Sequence, residues 1–203
     1  MTGLPSHLEL VQGVVLPKPV GADPVLDFVN TRSDWTTRGP ARTEWLTSYE
    51  AFLIWNSYVG LLPPATVFRL IEQASGKPTE AARRLHTASE FRADLYDVLT
   101  GQATGGSFEG AARMIEKASG RRQLVRNDDG ASWELPEDLA QPLDQVALLA
   151  GELLTGPSRA YVRICPGESC GWLFLDQRGR RRWCSMATCG NRAKVRAHAA
   201  RTR

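Results

Sequence analysis

The feature that most constrains this sequence is the placement of its cysteines. All four lie within 25 positions, as two Cys-x4-Cys pairs separated by 13 residues: Cys165 and Cys170, then Cys184 and Cys189. Four thiolates in two close pairs suit the tetrahedral shell of Zn²⁺ and leave no open position for water, so the predicted site is structural. Two disulfides are the alternative, which is disfavoured because no export signal is recognisable and disulfides persist in oxidising compartments.

Charge is distributed unevenly along the chain. Residues 1–158 carry 14 basic and 20 acidic side chains, whereas residues 159–203 carry 11 basic and two acidic ones, giving net charges of −6 and +9. A positive field of this density attracts polyanions, of which nucleic acids are the commonest. A solvated basic tail is the alternative, but it would not explain why all the cysteines lie in the same segment.

Composition and length predict an ordinary globular protein. Hydrophobic residues make up 42% of the 203 positions, which is enough for a packed core in one large domain or in a main domain with a small appendage. The apolar runs are far shorter than the ~20 residues that a membrane helix needs. We therefore expect a cytoplasmic protein without a membrane partner.

The cysteine segment has the pattern of a small metal-stabilised module. It contains too little apolar material to fold ~40 residues unaided, so a metal would supply the missing stability. The sequence predicts a β-hairpin formed by residues 172–175 and 181–183 around a polar turn, and then a helix over 187–200 with Cys189 in its first turn. A knuckle, a hairpin and a ligand-bearing helix describe a treble-clef zinc finger.

The rest of the chain is predicted to be mainly helical. Apolar spacing and capping signals indicate a short helix within 22–32, a buried helix that follows residues 47–50 and stops at Gly60, and four further helices. These lie over 64–75, 78–99, 107–119 and 138–154, and a hairpin signal occurs over 121–135. The predicted fold class is thus α+β, mainly α, with a helical domain over 1–157 and a treble-clef finger over 158–203.

Two motifs resemble known families. Cys189-Gly190-Asn191-Arg192, preceded by the other three cysteines, resembles the CGNR zinc finger over about residues 160–203. The run Val25-Leu26-Asp27-Phe28-Val29-Asn30-Thr31 and the helix around Trp55 resemble the ABATE domain, although Val25 stands where that family has Ala. The combination resembles bacterial proteins regarded as stress-induced transcription regulators, which implies DNA binding by the finger and ligand sensing by the N-terminal domain.

The basic residues of the finger are the candidate DNA contacts. A metal-held helix beside a basic hairpin can present several guanidinium groups to phosphates, and Arg also pairs with guanine edges. The candidates are Arg178, Arg180, Arg181, Arg182, Arg192, Lys194 and Arg196. The alternatives are an RNA target and a protein interaction module, in which the finger docks on acidic partner surfaces or on its own N-terminal domain.

The remaining candidates concern ligands and chemistry. Asp27 and Asn30 are polar residues in an apolar run, so they either brace the fold, which we favour, or line a ligand pocket together with Trp55. The effector would be an unidentified small molecule or protein partner, and a homodimer is left open. His86 and Glu90 have i,i+4 spacing but lack a third catalytic group, so we read them as an exposed helical pair and expect no enzyme activity.

Overall fold

The computed structural model describes residues 4–35 and 43–201, which form a mainly helical structure with three two-stranded antiparallel sheets. This confirms the predicted α+β, mainly α, fold class. The strands are β1 (Leu8–Val11), β2 (Val14–Pro17), β3 (Gln123–Asn127), β4 (Gly130–Glu134), β5 (Val162–Ile164) and β6 (Leu173–Leu175). The helices are α1 (Pro24–Val29), α2 (Tyr49–Tyr58), α3 (Pro64–Gly76), α4 (Pro78–Thr100), α5 (Gly105–Gly120), α6 (Gln141–Thr155) and α7 (Asn191–Arg201).

The chain forms two compact units whose limits differ from a simple division at residue 157. One unit, called here the helical unit, is Leu46–Gly156. The other, called here the finger unit, combines Met1–Trp45 with Pro157–Arg203. The finger is therefore built together with the first part of the chain. No helix in the described ranges is long and apolar enough to cross a membrane.

The helical unit contains α2 to α6 and forms where local signals predict helices. Ser48 caps α2 by accepting a hydrogen bond from the backbone N–H of Ala51, and the helix that follows is buried on nearly all sides. Proline occupies the first turn of α3, α4 and α6, where its missing N–H has no intrahelical partner. The packing of α4 on α5 and of α5 on α6 covers their apolar faces. All five predicted helices of this unit are thus present.

A hairpin and a buried ion pair complete the helical unit. Strands β3 and β4 pair in antiparallel register, with Asn127 opposite Gly130, as the hairpin signal predicts. The Arg121 guanidinium donates hydrogen bonds to the carboxylates of Asp138 and Asp144. The Asp144 side chain is only 1% exposed, so Arg121 neutralises a charge inside the protein.

The finger unit begins with a hairpin that the sequence analysis did not identify. Strand β1 pairs with β2, and the connection is Gln12-Gly13, both with positive φ (48° and 83°). Positive φ at both central residues is typical of the type I′ turn, in which glycine at the second position is favoured. After this hairpin, α1 begins with Pro24 and is capped by Asp23, whose carboxylate accepts a hydrogen bond from the N–H of Val25.

The predicted pairing inside the finger was wrong. Residues 181–183 do not form a strand, and β6 pairs instead with β5, with Val162 opposite Leu175 and Ile164 opposite Leu173. Two features account for the difference. The Asp176 carboxylate accepts hydrogen bonds from the backbone N–H groups of Arg180 and Arg181. These amides therefore bind a side chain in the turn and do not pair with β6. The edge of β6 that faces away from β5 is also occupied, because the Leu175 N–H donates to the carbonyl of Gly21 and the Leu173 N–H donates to Asn30 Oδ1.

Candidate metal centre

The four cysteine side chains converge on one point. Their sulfur atoms all lie within 4.8 Å of one another, and Cys184 Sγ is 3.7 Å from both Cys170 Sγ and Cys189 Sγ. A tetrahedron with Zn–S bonds of ~2.3 Å has S–S edges of about 3.8 Å, so the spacing fits a zinc ion. All four cysteines are buried free thiols, which excludes the disulfide alternative in this structure.

The first pair of cysteines lies in the turn between β5 and β6. Cys165 follows β5, and its backbone N–H donates to the carbonyl of Trp172 at 2.8 Å. Within the turn, the N–H of Cys170 donates to the carbonyl of Gly167 at 3.1 Å. A Cβ atom on Gly167 would lie 2.8 Å from Cys189 Sγ, so only glycine fits here without displacing a ligand. A glycine between paired cysteines is a signal that the sequence analysis did not use.

The second pair is held just before α7. Cys189 lies in a single π-helical turn, Met186–Gly190, that runs directly into α7, so the helix predicted over 187–200 is present and has Cys189 in its first turn. Arg181 fixes the approach to Cys184, since its Nη2 donates to the carbonyls of Cys184 at 2.6 Å and of Val20 at 2.8 Å. Its guanidinium also stacks over the ring of Phe174.

Mutual hydrogen bonding makes the four thiols unequal. Hydrogen bonds from the neighbouring thiols lower the pKa of Cys165 to about 7 and hold the pKa of Cys189 far below the ordinary thiol value. The same interactions raise the pKa of Cys184, because the crowded sulfurs cannot all carry charge unaided. A divalent cation would permit all four to ionise. Arg192 adds positive charge, since its Nη2 donates to Cys189 Sγ at 3.0 Å.

Comparison with known families agrees with this geometry. Residues 161–202 match the CGNR zinc finger, and residues 22–157 match the ABATE family, described as "Putative stress-induced transcription regulator". The second match covers more than half of the chain. The chain therefore belongs to the ABATE family. No curated protein matches the sequence. With the CGNR finger matched, the four-cysteine cluster is a zinc site, and both resemblances are confirmed.

The first residues of the ABATE match hold the finger in place. Asn30 bridges the backbone of Leu173 in β6: its Nδ2 donates to the Leu173 carbonyl at 2.9 Å, and its Oδ1 accepts from the Leu173 N–H at 2.8 Å. Nearby, the Trp172 indole Nε1–H donates to the carbonyl of Arg32 at 2.8 Å. The amide of Asn30 thus acts as an additional strand partner for β6. Sequence reasoning could not identify these contacts, because the residues lie about 140 positions apart.

Asp27 and Trp55 are also buried, in different units of this ABATE protein. Asp27 Oδ1 accepts a hydrogen bond from the backbone N–H of Gly21 at 2.7 Å, and burial raises the pKa of Asp27 to about 6. Trp55 belongs to the helical unit, where it is 1% exposed and stacks on Phe52. The hydrogen bonds of Asp27 and Asn30 are those of residues that brace the fold, and a ligand pocket that includes Asp27, Asn30 and Trp55 stays a prediction.

The predicted DNA contacts differ in their surroundings. Arg178, Arg180, Arg182 and Lys194 have exposed side chains. Arg196 is also exposed and forms an ion pair with Glu168, whereas Arg181 and Arg192 bind within the finger as described above. Contact of these residues with DNA stays a prediction. His86 Nε2 lies 3.3 Å from Glu90 Oε1, and the two residues form an exposed i,i+4 pair on α4, as expected.

Proposed function

We propose that this ABATE protein is a DNA-binding transcription regulator, without enzyme activity, whose finger contacts DNA. The observation that carries the proposal is a zinc-held CGNR finger with a net charge of +9 over residues 159–203 in a chain whose family is described as a transcription regulator. A fixed module with concentrated positive charge binds nucleic acid mainly through phosphates.

The basic turn after β6 is the first part of the proposed DNA surface. Arg178, Arg180 and Arg182 are exposed there, while the side chain of Asp176 holds the turn backbone. A turn fixed by internal hydrogen bonds loses less conformational freedom when it binds a partner. Arg181 would act indirectly, by orienting the turn, because its own donors are directed at backbone carbonyls.

The outer face of α7 is the second part. Lys194 and Arg201 are seven positions apart and therefore lie on one side of the helix, whereas Arg192 and Arg196 lie on the other. Arg192 and Arg196 already contact Cys189 and Glu168. Lys194 and Arg201 are exposed, so this face supplies the cations that would approach phosphates.

A signal received by the ABATE region would have a short path to this surface. The segment from Val20 to Arg32 binds β6 and the turn before Cys184 through Asn30, Arg32 and Val20. Movement of α1 would therefore shift the strand that precedes the basic turn. We propose that ligand or partner binding alters finger presentation through these contacts.

The test is a titration of zinc-loaded full-length protein with a labelled random duplex, read by fluorescence anisotropy at several salt concentrations. We expect binding at low salt that weakens steeply as salt increases, because phosphate contacts release counterions. Replacing Arg178, Arg180 and Arg182 together by Ala should weaken binding at least about tenfold and reduce the salt dependence by about three contacts.

The matched control removes three exposed arginines from the helical unit, as Arg83→Ala, Arg113→Ala and Arg126→Ala in one variant. This variant changes the net charge by the same amount, so it should bind DNA nearly as the wild type does. Equal weakening by both triple variants would indicate a nonspecific charge effect. Absence of binding at low salt would reject the DNA proposal. If an RNA competitor displaced the labelled duplex more effectively than DNA does, RNA would be the target instead.

A further inference from the structure

A cleft lies beside the zinc centre, and Asp27, Asn30 and Trp55, the residues of the predicted ligand pocket, do not line it. It lies within the finger unit, has a volume of about 840 Å³, and is lined by residues from three parts of the chain: the N-terminal segment, the region around Ser33 and Thr43, and the finger with α7. Ligand pockets typically occupy ~300–1,000 Å³. The zinc ligands themselves are saturated, so the cleft would bind a ligand through its side chains.

One wall of the cleft is aromatic. Trp45 and Trp172 meet edge to face with their ring centroids 5.7 Å apart, and His7 packs against Trp172 at 6.1 Å. Trp45 and Trp172 are nearly buried, at 7% and 5% exposure. The contact between the two rings and the hydrogen bond from the Trp172 indole N–H to the Arg32 carbonyl fix their orientation. Rigid aromatic side chains bind flat apolar groups with little loss of entropy.

The cleft is also lined by two guanidinium groups on one face of α7. Arg192 and Arg196 both line the cleft and are spaced i,i+4. Arg192 directs one donor at Cys189 Sγ, and a guanidinium has five donors in all. Arg196 pairs with the exposed carboxylate of Glu168, a group that a ligand carboxylate can replace. Asp34 also lines the cleft but is buried, at 7% exposure.

We propose that this cleft binds a small aromatic carboxylate. The ring lies against Trp45 and Trp172, and the carboxylate is held by Arg196 together with Arg192. The proposal deepens the regulatory function proposed above by naming the place and chemical class of its effector. Binding there is coupled to the finger directly, because Cys184 and Cys189 line the same cleft.

The test records ¹H–¹⁵N spectra of zinc-loaded full-length protein during titration with indole-3-acetate, without DNA. The indole signals of Trp45 and Trp172 should shift in a saturable way, with a dissociation constant of about 1 mM or tighter, as expected for a ligand of this size. The indole signal of Trp133, which is 60% exposed in the helical unit, should not move. Trp→Phe variants assign the three signals.

Two further probes separate the contribution of the aromatic ring to binding from that of the carboxylate charge. Indole-3-acetamide keeps the ring without the charge and should bind at least about tenfold more weakly, since a charge-assisted hydrogen bond is lost. Inorganic phosphate carries charge without a ring and should leave the Trp45 and Trp172 signals in place. No shift with either indole-3-acetate or benzoate at up to about 10 mM, well above the expected constant, would overturn the proposal. Equal binding of the amide would overturn it as well.

A matched pair of variants locates the carboxylate. Arg196→Gln should weaken indole-3-acetate binding about tenfold, whereas Arg201→Gln, on the opposite side of α7, should leave it unchanged. Zinc content of both variants should equal that of the wild type. Equal affinity of the two variants would contradict the assignment of Arg196. Because no DNA is present, failure here leaves the DNA-binding proposal intact, and failure of DNA binding leaves ligand binding measurable.

Discussion

The two units of this chain build their interiors in different ways. The helical unit buries aliphatic and aromatic side chains at helical spacing, such as Phe91, Leu95 and Leu99 in α4. The finger unit also buries aliphatic side chains, and in addition it surrounds its metal ligands with a cluster of large rings that includes Trp45, Trp172 and Phe174. One unit therefore depends on apolar packing of helices, and the other on apolar packing together with a metal and its aromatic contacts.

The two units also differ in how far apart along the chain their interacting residues lie. Helices of the helical unit form from signals within a few residues, such as the cap at Ser48. The finger unit depends on pairs such as Asn30 with Leu173, which are 143 residues apart. Closing loops of this length costs entropy before the contacts can form. The four zinc ligands lie within residues 165–189, so the metal fixes the segment to which Asn30 binds. We therefore expect the finger unit to be more sensitive to metal removal than the helical unit.

Metal removal should cause the largest difference between the two units. Chelation of zinc or Cys189→Ser should unfold the finger unit, because structural zinc contributes about 10 kcal/mol or more of folding free energy. The helices of the helical unit should persist. We expect about one zinc per chain in elemental analysis. In ¹H–¹⁵N spectra, the indole signals of Trp45 and Trp172 should collapse while that of Trp55 keeps its folded position.

The control is re-addition of zinc, which should restore the signals in the chelated wild type and leave the Cys189→Ser variant unfolded at the finger. A native protein that contains no metal and keeps a folded finger unit would contradict the zinc assignment. Loss of the Trp55 signal together with the others would show that the two units unfold as one.

The next largest effect is expected in the helical unit. Arg121→Met leaves the carboxylate of Asp144 buried without its cation, and breaking a buried pair in this way costs about 3–5 kcal/mol. The free energy of unfolding, measured in urea with zinc present, should decrease by this amount while zinc content stays the same. Burial already raises the pKa of Asp144, so part of the cost is relieved by proton uptake.

Arg69→Met provides the matched control. Arg69 pairs with Glu137 at the surface, where the two side chains are 50% and 36% exposed, so its removal should cost at most about 1 kcal/mol. Adding Asp144→Leu to Arg121→Met should recover much of the lost stability, since the unpaired charge is then absent. Equal losses for Arg121→Met and Arg69→Met would show that Asp144 needs no internal partner.

Sequence reasoning was accurate where structure is local. The five helices of the helical unit, the hairpin near Asn127 and the four zinc ligands followed from spacing and capping. It was wrong about the partner of β6, because the side chain of Asp176 competes for the backbone amides that a strand would use. It missed β1 and β2 although Gln12-Gly13 offered a turn signal.

At the metal centre, too, sequence patterns predicted local features but not contacts between distant segments. The cysteines identify a metal centre by their spacing alone, whereas the roles of Asn30 and Trp172 depend on contacts between distant segments. Arg181 and Arg192 could not be distinguished from the other basic residues by sequence, because only the structure shows that their donors contact backbone carbonyls and a cysteine sulfur. Local periodicity carries no information on such partners.

Gly167→Ala should have an intermediate effect that is confined to the finger unit. The added methyl group would lie 2.8 Å from Cys189 Sγ and 3.3 Å from Cys170 Cβ, so the knuckle must shift. Overpacking of this kind costs about 1–3 kcal/mol, which corresponds to roughly a tenfold to hundredfold loss of zinc affinity. Competition for zinc with a chromophoric chelator measures this loss of affinity. Gly76→Ala, at the end of α3 with nothing within 4 Å of the new methyl group, should leave zinc affinity unchanged.

The smallest expected effect is the pH dependence contributed by Asp27. Its pKa of about 6 in the folded protein lies above the ordinary value of 3.8, so the folded state keeps this proton to higher pH than the unfolded state does. The free energy of unfolding therefore falls as pH rises through this interval. In Asp27→Asn that contribution is absent, and the amide oxygen can still accept from Gly21. The stability of the variant relative to the wild type should therefore increase by about 1 kcal/mol between about pH 5 and about pH 7.5. Thiol protonation acts on both proteins alike and cancels in the difference, which urea titrations with zinc present would measure. A difference that is constant over this range would mean that the Asp27 carboxyl titrates normally and that the hydrogen bond from Gly21 compensates for burial.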